Sequence, residues 1–512
     1  MVGVSDESQP LAGYLGSDAR ITKRAASELV EAGYSLELGD APLLQEGLIA
    51  SHLAHVVALS EAEVVPAADQ QALLSALLDL ASSPPDQDEI DPRYGDLYNW
   101  HEHLLEARVG AAAGWLSAGR ARREAGRIAF RIALRGLLLE MFEATNRLAE
   151  ALVDAAQRYQ DLPMPDYSYL QVAQVTTFGH YILSFAFPAL RDAERIRRAH
   201  KWVNQSPAGV GATAGTRYPL DRERLAGLLA FEAPIPHSRD AMWQTDGIAD
   251  IGLAATSAVV NCSRLAEDLE IFASDEFAFI ELDEEMCRAS VAMPQKRNPY
   301  AIPVIRGAAG LLLGRLTGLI ALQKTPSART DNLIYAYGET TETVATATSV
   351  LALAGIMIRG MRARPDRMVM RVEESFAAAT DVAEAIGLHL GIDYRTAYRI
   401  VGRAVAATVA EGDQSLSAEG VREAANDVLG HSVDLPNDLL EASLSAEANL
   451  TARGVVDTGD RAEFSAMLSS VRREIACNGS WITQRRRTQE ALWPRLRESV
   501  AARLKAVEAR AA

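Results

Sequence analysis

From Arg122 to Tyr159 the chain runs without a proline, and Ile128, Ile132, Leu138, Phe142, Leu148 and Leu152 recur at steps of three or four residues or at longer steps that keep one face. This pattern specifies a single helix far longer than the usual three turns. Four further tracts follow: about Gln171 to Trp202, with Pro188 expected to kink it; Asp240 to Phe272; about Val304 to Gln323; and Asn332 to Met361. Long helices arranged one after another indicate a long bundle. Only 6% of the residues are aromatic, so the core must be built from Leu, Ile, Val and Ala, whose small faces let helices approach closely. Between Asp250 and Arg264 the helix is apolar nearly all round, which implies burial on all sides. Partner subunits are the natural source of that burial, so a homo-oligomer is expected.

The flanks are made of shorter helical pieces. Ser82-Ser83-Pro84-Pro85 and Asp91-Pro92 interrupt the first part, and Pro365 opens the last. The expected domains are residues 1–115, a central bundle over 116–364, and a C-terminal helical domain with a terminal extension over 365–512.

Among the 512 residues, 51 basic and 68 acidic side chains leave a net charge of −17, which repels a phosphate backbone. Gln484-Arg485-Arg486-Arg487 is the one dense basic run and reads as a solvated helix face, so no nucleic-acid partner is expected. Three scattered cysteines, Cys262, Cys287 and Cys477, fit a reducing compartment, and Met1 to Pro10 carries no signal pattern. Apolar stretches such as Val344 to Ile358 are shorter than a membrane span. The expectation is a cytoplasmic protein with no membrane partner. The glycine-rich segment Gly209 to Gly215 lacks the Gly-Lys-Ser/Thr ending of a phosphate-binding loop.

The residues richest in chemistry are Ser290-Val291-Ala292-Met293-Pro294-Gln295-Lys296-Arg297-Asn298-Pro299. Two prolines prevent a regular helix, which places a hydroxyl, a cation and an amide on a connection between long helices. Such a set suits abstraction of a proton next to a carboxylate, with fixed donors holding the charge that develops. On residue type alone, a polar surface loop accounts for the segment more simply.

The segment resembles the signature of the fumarase/aspartase superfamily, and within it argininosuccinate lyase most closely. Gly119-Arg120-Ala121-Arg122, Tyr167-Ser168-Tyr169-Leu170-Gln171-Val172-Ala173-Gln174, Gly211-Ala212-Thr213-Ala214-Gly215 with Leu220-Asp221-Arg222, Phe279 to Asp283, Ala379-Thr380-Asp381 and Ile400 to Val405 are similar to further motifs of the same family, in the same order. The resemblance implies an all-α fold of three domains, whose central five-helix unit joins three others in a twenty-helix core of a homotetramer. It also implies active sites shared between subunits, no metal or organic cofactor, and β-elimination that releases fumarate from a small anionic dicarboxylate substrate. By the same resemblance Ser290 is the general base, and Lys296 and Asn298 hold the substrate carboxylate. Ser168, Gln171, Arg122, Arg123 and Arg329 are expected to contact the substrate.

Several positions depart from the family pattern. Tyr169 stands where the family has its acid histidine, and Pro303 where it has the glutamate that charges that histidine. Arg123 replaces a substrate-binding asparagine. Arg329, Ile334 and Tyr337 replace the Tyr, Gln and Lys that recognise the arginine moiety. Arg122, Arg123 and Arg329 together suggest a pocket with added positive charge, suited to an extra anionic group, although solvated arginines fit equally well. The expected function is therefore fumarate release from a specialised succinyl or aspartate-type adduct rather than from argininosuccinate, whose leaving group either departs without an acid or takes its proton from Tyr169. The alternatives are an inactive structural homologue, or a member that runs addition or cyclisation. His180 lies eleven residues beyond Tyr169, about 16 Å along a continuous helix, too far to take the missing role.

Overall fold

A computed structural model of the chain describes residues 20–21, 23–325, 327–328, 334–453 and 461–511. The first helices, α1 (Ser35–Gly39), α2 (Ala41–Glu61), α3 (Ala67–Ser82) and α4 (Leu97–Val109), pack round Leu48, Leu53, Leu73, Leu77 and Leu105. Every residue of α2 from Gly47 to Ser60 is buried, so this helix is enclosed on all its faces.

The proline-free tract is one helix of 37 residues, α5 (Arg122–Arg158). After it come a hairpin of β1 (Pro163–Ser168) and β2 (Gln171–Thr177), then α6 (Phe178–Ser184), α7 (Ala186–Val203) and α8 (Asp246–Phe272). A short strand β3 (Ile280–Glu281) leads to a second small hairpin, β4 (Arg288–Ala289) with β5 (Arg297–Asn298). The long α9 (Ala301–Leu322) and α10 (Ala336–Gly360) follow, and β6 (Arg362–Ala363) closes onto β3. Helices α5, α7, α8, α9 and α10 share the largest core, in which Leu138, Phe142, Ile196, Val259, Leu312 and Leu351 meet. The fold is all-α, and its strands are confined to short two-stranded pairs among the described residues.

A separate cluster of Val382, Ile386, Ile400, Val401 and Val421 holds α11 (Ala379–Leu390), α12 (Tyr394–Ala410) and α13 (Ala418–Leu429) together. The chain then returns. α14 (Arg461–Glu490) runs along α5, with Leu468, Val471 and Ile482 in the central core. α15 (Leu492–Ala511) adds Leu492, Leu496 and Val500 to the core of α2 and α3.

Four expectations are corrected. Gln171 to Trp202 is not one kinked helix, because Gln171–Thr177 pairs with β1, as its β-branched Val172, Val175, Thr176 and Thr177 favour. Helix starts only at Phe178, where the Thr177 side chain accepts the His180 N–H, and it breaks at Phe185. Pro188 falls in the first turn of α7, where a missing N–H leaves no helical bond unmade. α8 begins at Asp246, behind a separate turn of helix over Ser238–Trp243.

The basic run on α14 is a solvated face only in part: Gln484 and Arg487 are exposed, whereas Arg485 pairs with Glu232 at 3.2 Å and Arg486 with Glu143 at 2.5 Å. Finally, α2, α9 and α10 are each long and apolar enough to cross a membrane by length and composition. α2 is largely buried within the chain, whereas α9 leaves Val304, Leu311, Leu313 and Ile320 exposed.

Candidate active site

The residues singled out above lie on three elements. Ser168, Tyr169 and Gln171 occupy the tip of the β1–β2 hairpin, where Ser168 pairs with Gln171 across a two-residue turn. Tyr169 and Leu170 both have positive φ, +55° and +56°. This is the backbone of a type I′ turn, which normally takes Asn-Gly. Holding two large L residues there costs about 1–2 kcal/mol each. The tip is also bare, with Tyr169 98% exposed. Its base is held firmly: the Tyr167 ring packs among Phe272, Phe277 and Phe279, and Arg453 donates to the Val175 carbonyl while forking onto buried Asp381 at 2.9 and 2.7 Å. The Ala379-Thr380-Asp381 motif thus anchors this hairpin.

Ser290, Lys296 and Asn298 lie on the β4–β5 hairpin. Pro294 keeps the segment between the strands irregular, and the Lys296 N–H closes a turn on the Met293 carbonyl at 3.1 Å. The Met293 N–H donates to Ser290 Oγ at 3.1 Å, which favours negative charge on that oxygen. Asn298 Nδ2 donates to the Arg288 carbonyl at 3.0 Å, and this fixes the amide. Arg297 clamps the hairpin to Glu281 and to the Leu282 carbonyl. Lys296 is exposed, as is Val291 next to Ser290.

Arg122 and Arg123 stand in the first turn of α5 and are not free cations. Arg122 pairs with Asp96 at 2.5 Å, and Arg123 forks onto Glu37 at 2.7 and 3.1 Å. They border a cavity of about 60 Å³, also lined by Asp40, Arg127, Ile334 and Tyr337. The suggested excess of positive charge is therefore cancelled by Glu37, Asp40 and Asp96, acids that no motif points to. Burial, with Glu37 alongside, pushes the Asp40 carboxyl up to about 6. Arg329 lies outside the described residues. Among the described residues, no hydrogen bond or ion pair joins one of these three groups of residues to another.

Two neighbouring features have structural roles. Glu124, buried on α5, accepts the Gly209 N–H at 2.9 Å, so the glycine-rich loop points an amide at a carboxylate of its own chain where a nucleotide reading would need a phosphate. Gly211 is fixed there by φ +62°, and a Cβ would sit 2.5 Å from the Gly215 carbonyl oxygen. Arg120 is buried and donates to the Ser51 carbonyl, His52 and the Leu116 carbonyl. His180 is on α6, whereas Tyr169 is on a hairpin tip, so the helical spacing between them does not apply.

Fold and signature loop together define a lyase built on long helices. The family model described as lyase matches residues 38–314, and that of the argininosuccinate lyase C-terminal region matches residues 376–448. Argininosuccinate lyase of Geobacillus thermodenitrificans is 33% identical over 395 residues, 77% of this chain and 85% of the relative. Argininosuccinate lyase of Chromobacterium violaceum is 34% identical over 389 residues, covering 74% and 83%. EDDS lyase in complex with formate superposes with a TM-score of 0.83 at 25% identity, over 95% of this chain and 97% of that one. The 3-carboxy-cis,cis-muconate lactonizing enzyme of Pseudomonas putida shares the fold at a TM-score of 0.65 and 18% identity, over 86% and 95%. The chain belongs to the fumarase/aspartase superfamily of fumarate-releasing lyases, close to argininosuccinate lyase.

Proposed function

We propose that this lyase eliminates fumarate from a specialised N-succinyl or related dicarboxylate adduct other than argininosuccinate, with Ser290 as general base. Ser290 Oγ, as alkoxide, takes the proton from the carbon next to a carboxylate, and the electron pair spreads into that carboxylate. Lys296 and Asn298 hold the resulting extra charge. The carbon–nitrogen bond then breaks with its electron pair going to nitrogen, the double bond of fumarate forms, and the nitrogen takes a proton from the Tyr169 phenol. The observation that carries the reading is the Met293 N–H aimed at Ser290 Oγ, on the same short hairpin as Lys296 and Asn298.

Ser168 and Gln171 would touch the substrate beside Tyr169. Arg122 and Arg123 would act through the cavity wall that their ion pairs build, and Arg329 would contribute from the segment after α9. The three groups would meet in a homotetramer, in which one copy's bare hairpin tips complete another's site and the exposed leucines of α9 are covered. The three scattered cysteines, all free, support a cytoplasmic enzyme.

The test is fumarate release by purified protein from a panel of N-substituted aspartates. Release that disappears in Ser290→Ala supports the reading, whereas undiminished release in that variant sinks the assignment of the base. No release from any adduct by an assembled wild-type protein would favour the second reading, an inactive structural homologue, which the joint replacement of the acid histidine and its glutamate by Tyr169 and Pro303 motivates.

A further inference from the structure

The cavity beside α1 and α5 is lined by three carboxylates, Glu37, Asp40 and Asp96, and three guanidiniums, Arg122, Arg123 and Arg127. Their formal charges cancel, but their pairing does not use all six. Arg122 is neutralised by Asp96 and Arg123 by Glu37. Arg127 is built into the wall without a carboxylate partner: it donates to the Arg123 carbonyl at 3.1 Å and lies 4.9 Å from the Trp243 ring centre, and its other terminal nitrogen is buried out of reach of a ligand and makes no hydrogen bond among the described residues.

Asp40 remains. It is half-buried, and its carboxylate has no hydrogen-bond or ion-pair partner among the described residues. Asp40 joins α1 to α2 with helical backbone (φ −84°, ψ −1°), a conformation that keeps its side chain from capping α2, so the carboxylate is left without a first-turn N–H. It faces the cavity, where a Cβ added to Gly338 would come within 3.0 Å of Oδ1. A carboxylate that forgoes its cap and sits partly desolvated without a partner is stabilised most by a cation entering the cavity.

Resting on the reading above, we propose that Asp40 selects the leaving group: the departing part of the substrate carries a cationic nitrogen, an ammonium or guanidinium distinct from the nitrogen whose bond breaks, and Asp40 binds it. The preference is opposite to the one the arginine count alone suggests. A volume of about 60 Å³ accommodates an ammonium with its adjoining methylene or a few waters.

The experiment compares three aspartate adducts joined through nitrogen: that of putrescine, with a distal ammonium; of butylamine, with none; and of γ-aminobutyrate, with a distal carboxylate. The wild type is expected to favour the putrescine adduct by about tenfold in kcat/KM over either of the others. The near-isosteric Asp40→Asn is expected to bring the ratio of putrescine to butylamine adducts close to one, through KM rather than kcat. Preference for the γ-aminobutyrate adduct, or a ratio that Asp40→Asn leaves unchanged, overturns the proposal. If the wild type releases fumarate from none of the three, the reaction reading has failed, and the cavity is then judged separately by calorimetry. Tighter binding of putrescine than of butylamine by wild type, abolished in Asp40→Asn, supports the assignment, and equal binding by both proteins overturns it.

Discussion

The cavity at the head of α5 and the two hairpins are built on opposite plans. Around the cavity, two of the three lining arginines are paired within one chain, Arg122 with Asp96 and Arg123 with Glu37, and Asp40 alone of the acids is left open. At the hairpins, by contrast, the bases are anchored and the tips are bare. Tyr169 and Leu170 hold a strained turn at an exposed tip, and Val291 and Lys296 stand in solvent. One region is finished by its own protomer, and the other presents chemistry that its own protomer does not surround. Under the proposed function, binding selectivity would be set within a chain while the reacting groups would be brought together by assembly.

The largest effect should come from the base. Ser290→Ala is expected to lower fumarate release by about 10³-fold with unchanged helicity and assembly, measured by the rate of fumarate appearance and by circular dichroism. A loss below about tenfold would move the base elsewhere. Next comes the assembly on which the comparison depends. If the proposed homotetramer forms, charging the bare face of α9 with Leu311→Glu and Leu313→Glu should shift it to smaller species in light scattering and reduce activity by at least about 10²-fold. Full activity from a monomer would break the comparison outright.

The hairpin tip offers a finer test. Tyr169→Phe should reduce kcat by about tenfold without altering stability, because the ring stays and only the donor goes. Replacing Tyr169-Leu170 by Asn-Gly should do the reverse to stability, raising it by about 1–3 kcal/mol in denaturant unfolding while activity falls. Strain that is relieved at no cost in rate would deny the tip a part in the reaction.

How much of this was legible in the sequence differs by region. The central helices were, because a period of 3.6 residues over 20 to 40 positions is a strong signal. The signature loop was also legible, since Pro294 and Pro299 exclude helix around Ser290 and Lys296. The first hairpin was not: its turn carries Tyr-Leu in place of the expected Asn-Gly, and QVAQVTT passes for the start of a helix despite its β-branched residues. The charge state of the cavity was out of reach altogether. Arg123 meets Glu37 across 86 positions and Arg122 meets Asp96 across 26, and only the folded chain brings those acids alongside.

A change in stability alone, with no effect expected on the reaction, tests how self-contained the inner region is. Burial pushes the Glu124 carboxyl up to about 7, against the opposing pull of the Gly209 N–H and Arg120. A carboxyl group whose folded pKa is raised stabilises the fold fully only below its unfolded value, and that contribution is lost as pH rises through about 7. Glu124→Gln keeps an oxygen for the Gly209 N–H and cannot ionise. The variant should therefore match wild type near pH 4, gain on it between about pH 5 and 7, and hold a constant advantage on the order of 3 kcal/mol above that. Buried His52, His55 and His101, held neutral by desolvation, act in the opposite direction: their contribution is present above the ordinary histidine value and is lost as pH falls below it. Because both proteins carry these histidines, their effect cancels in the difference between the two unfolding curves. A flat difference would mean that Glu124 is already ionised at pH 5 and that the loop amides compensate its charge fully, which would make the region around α5 better matched than its burial implies.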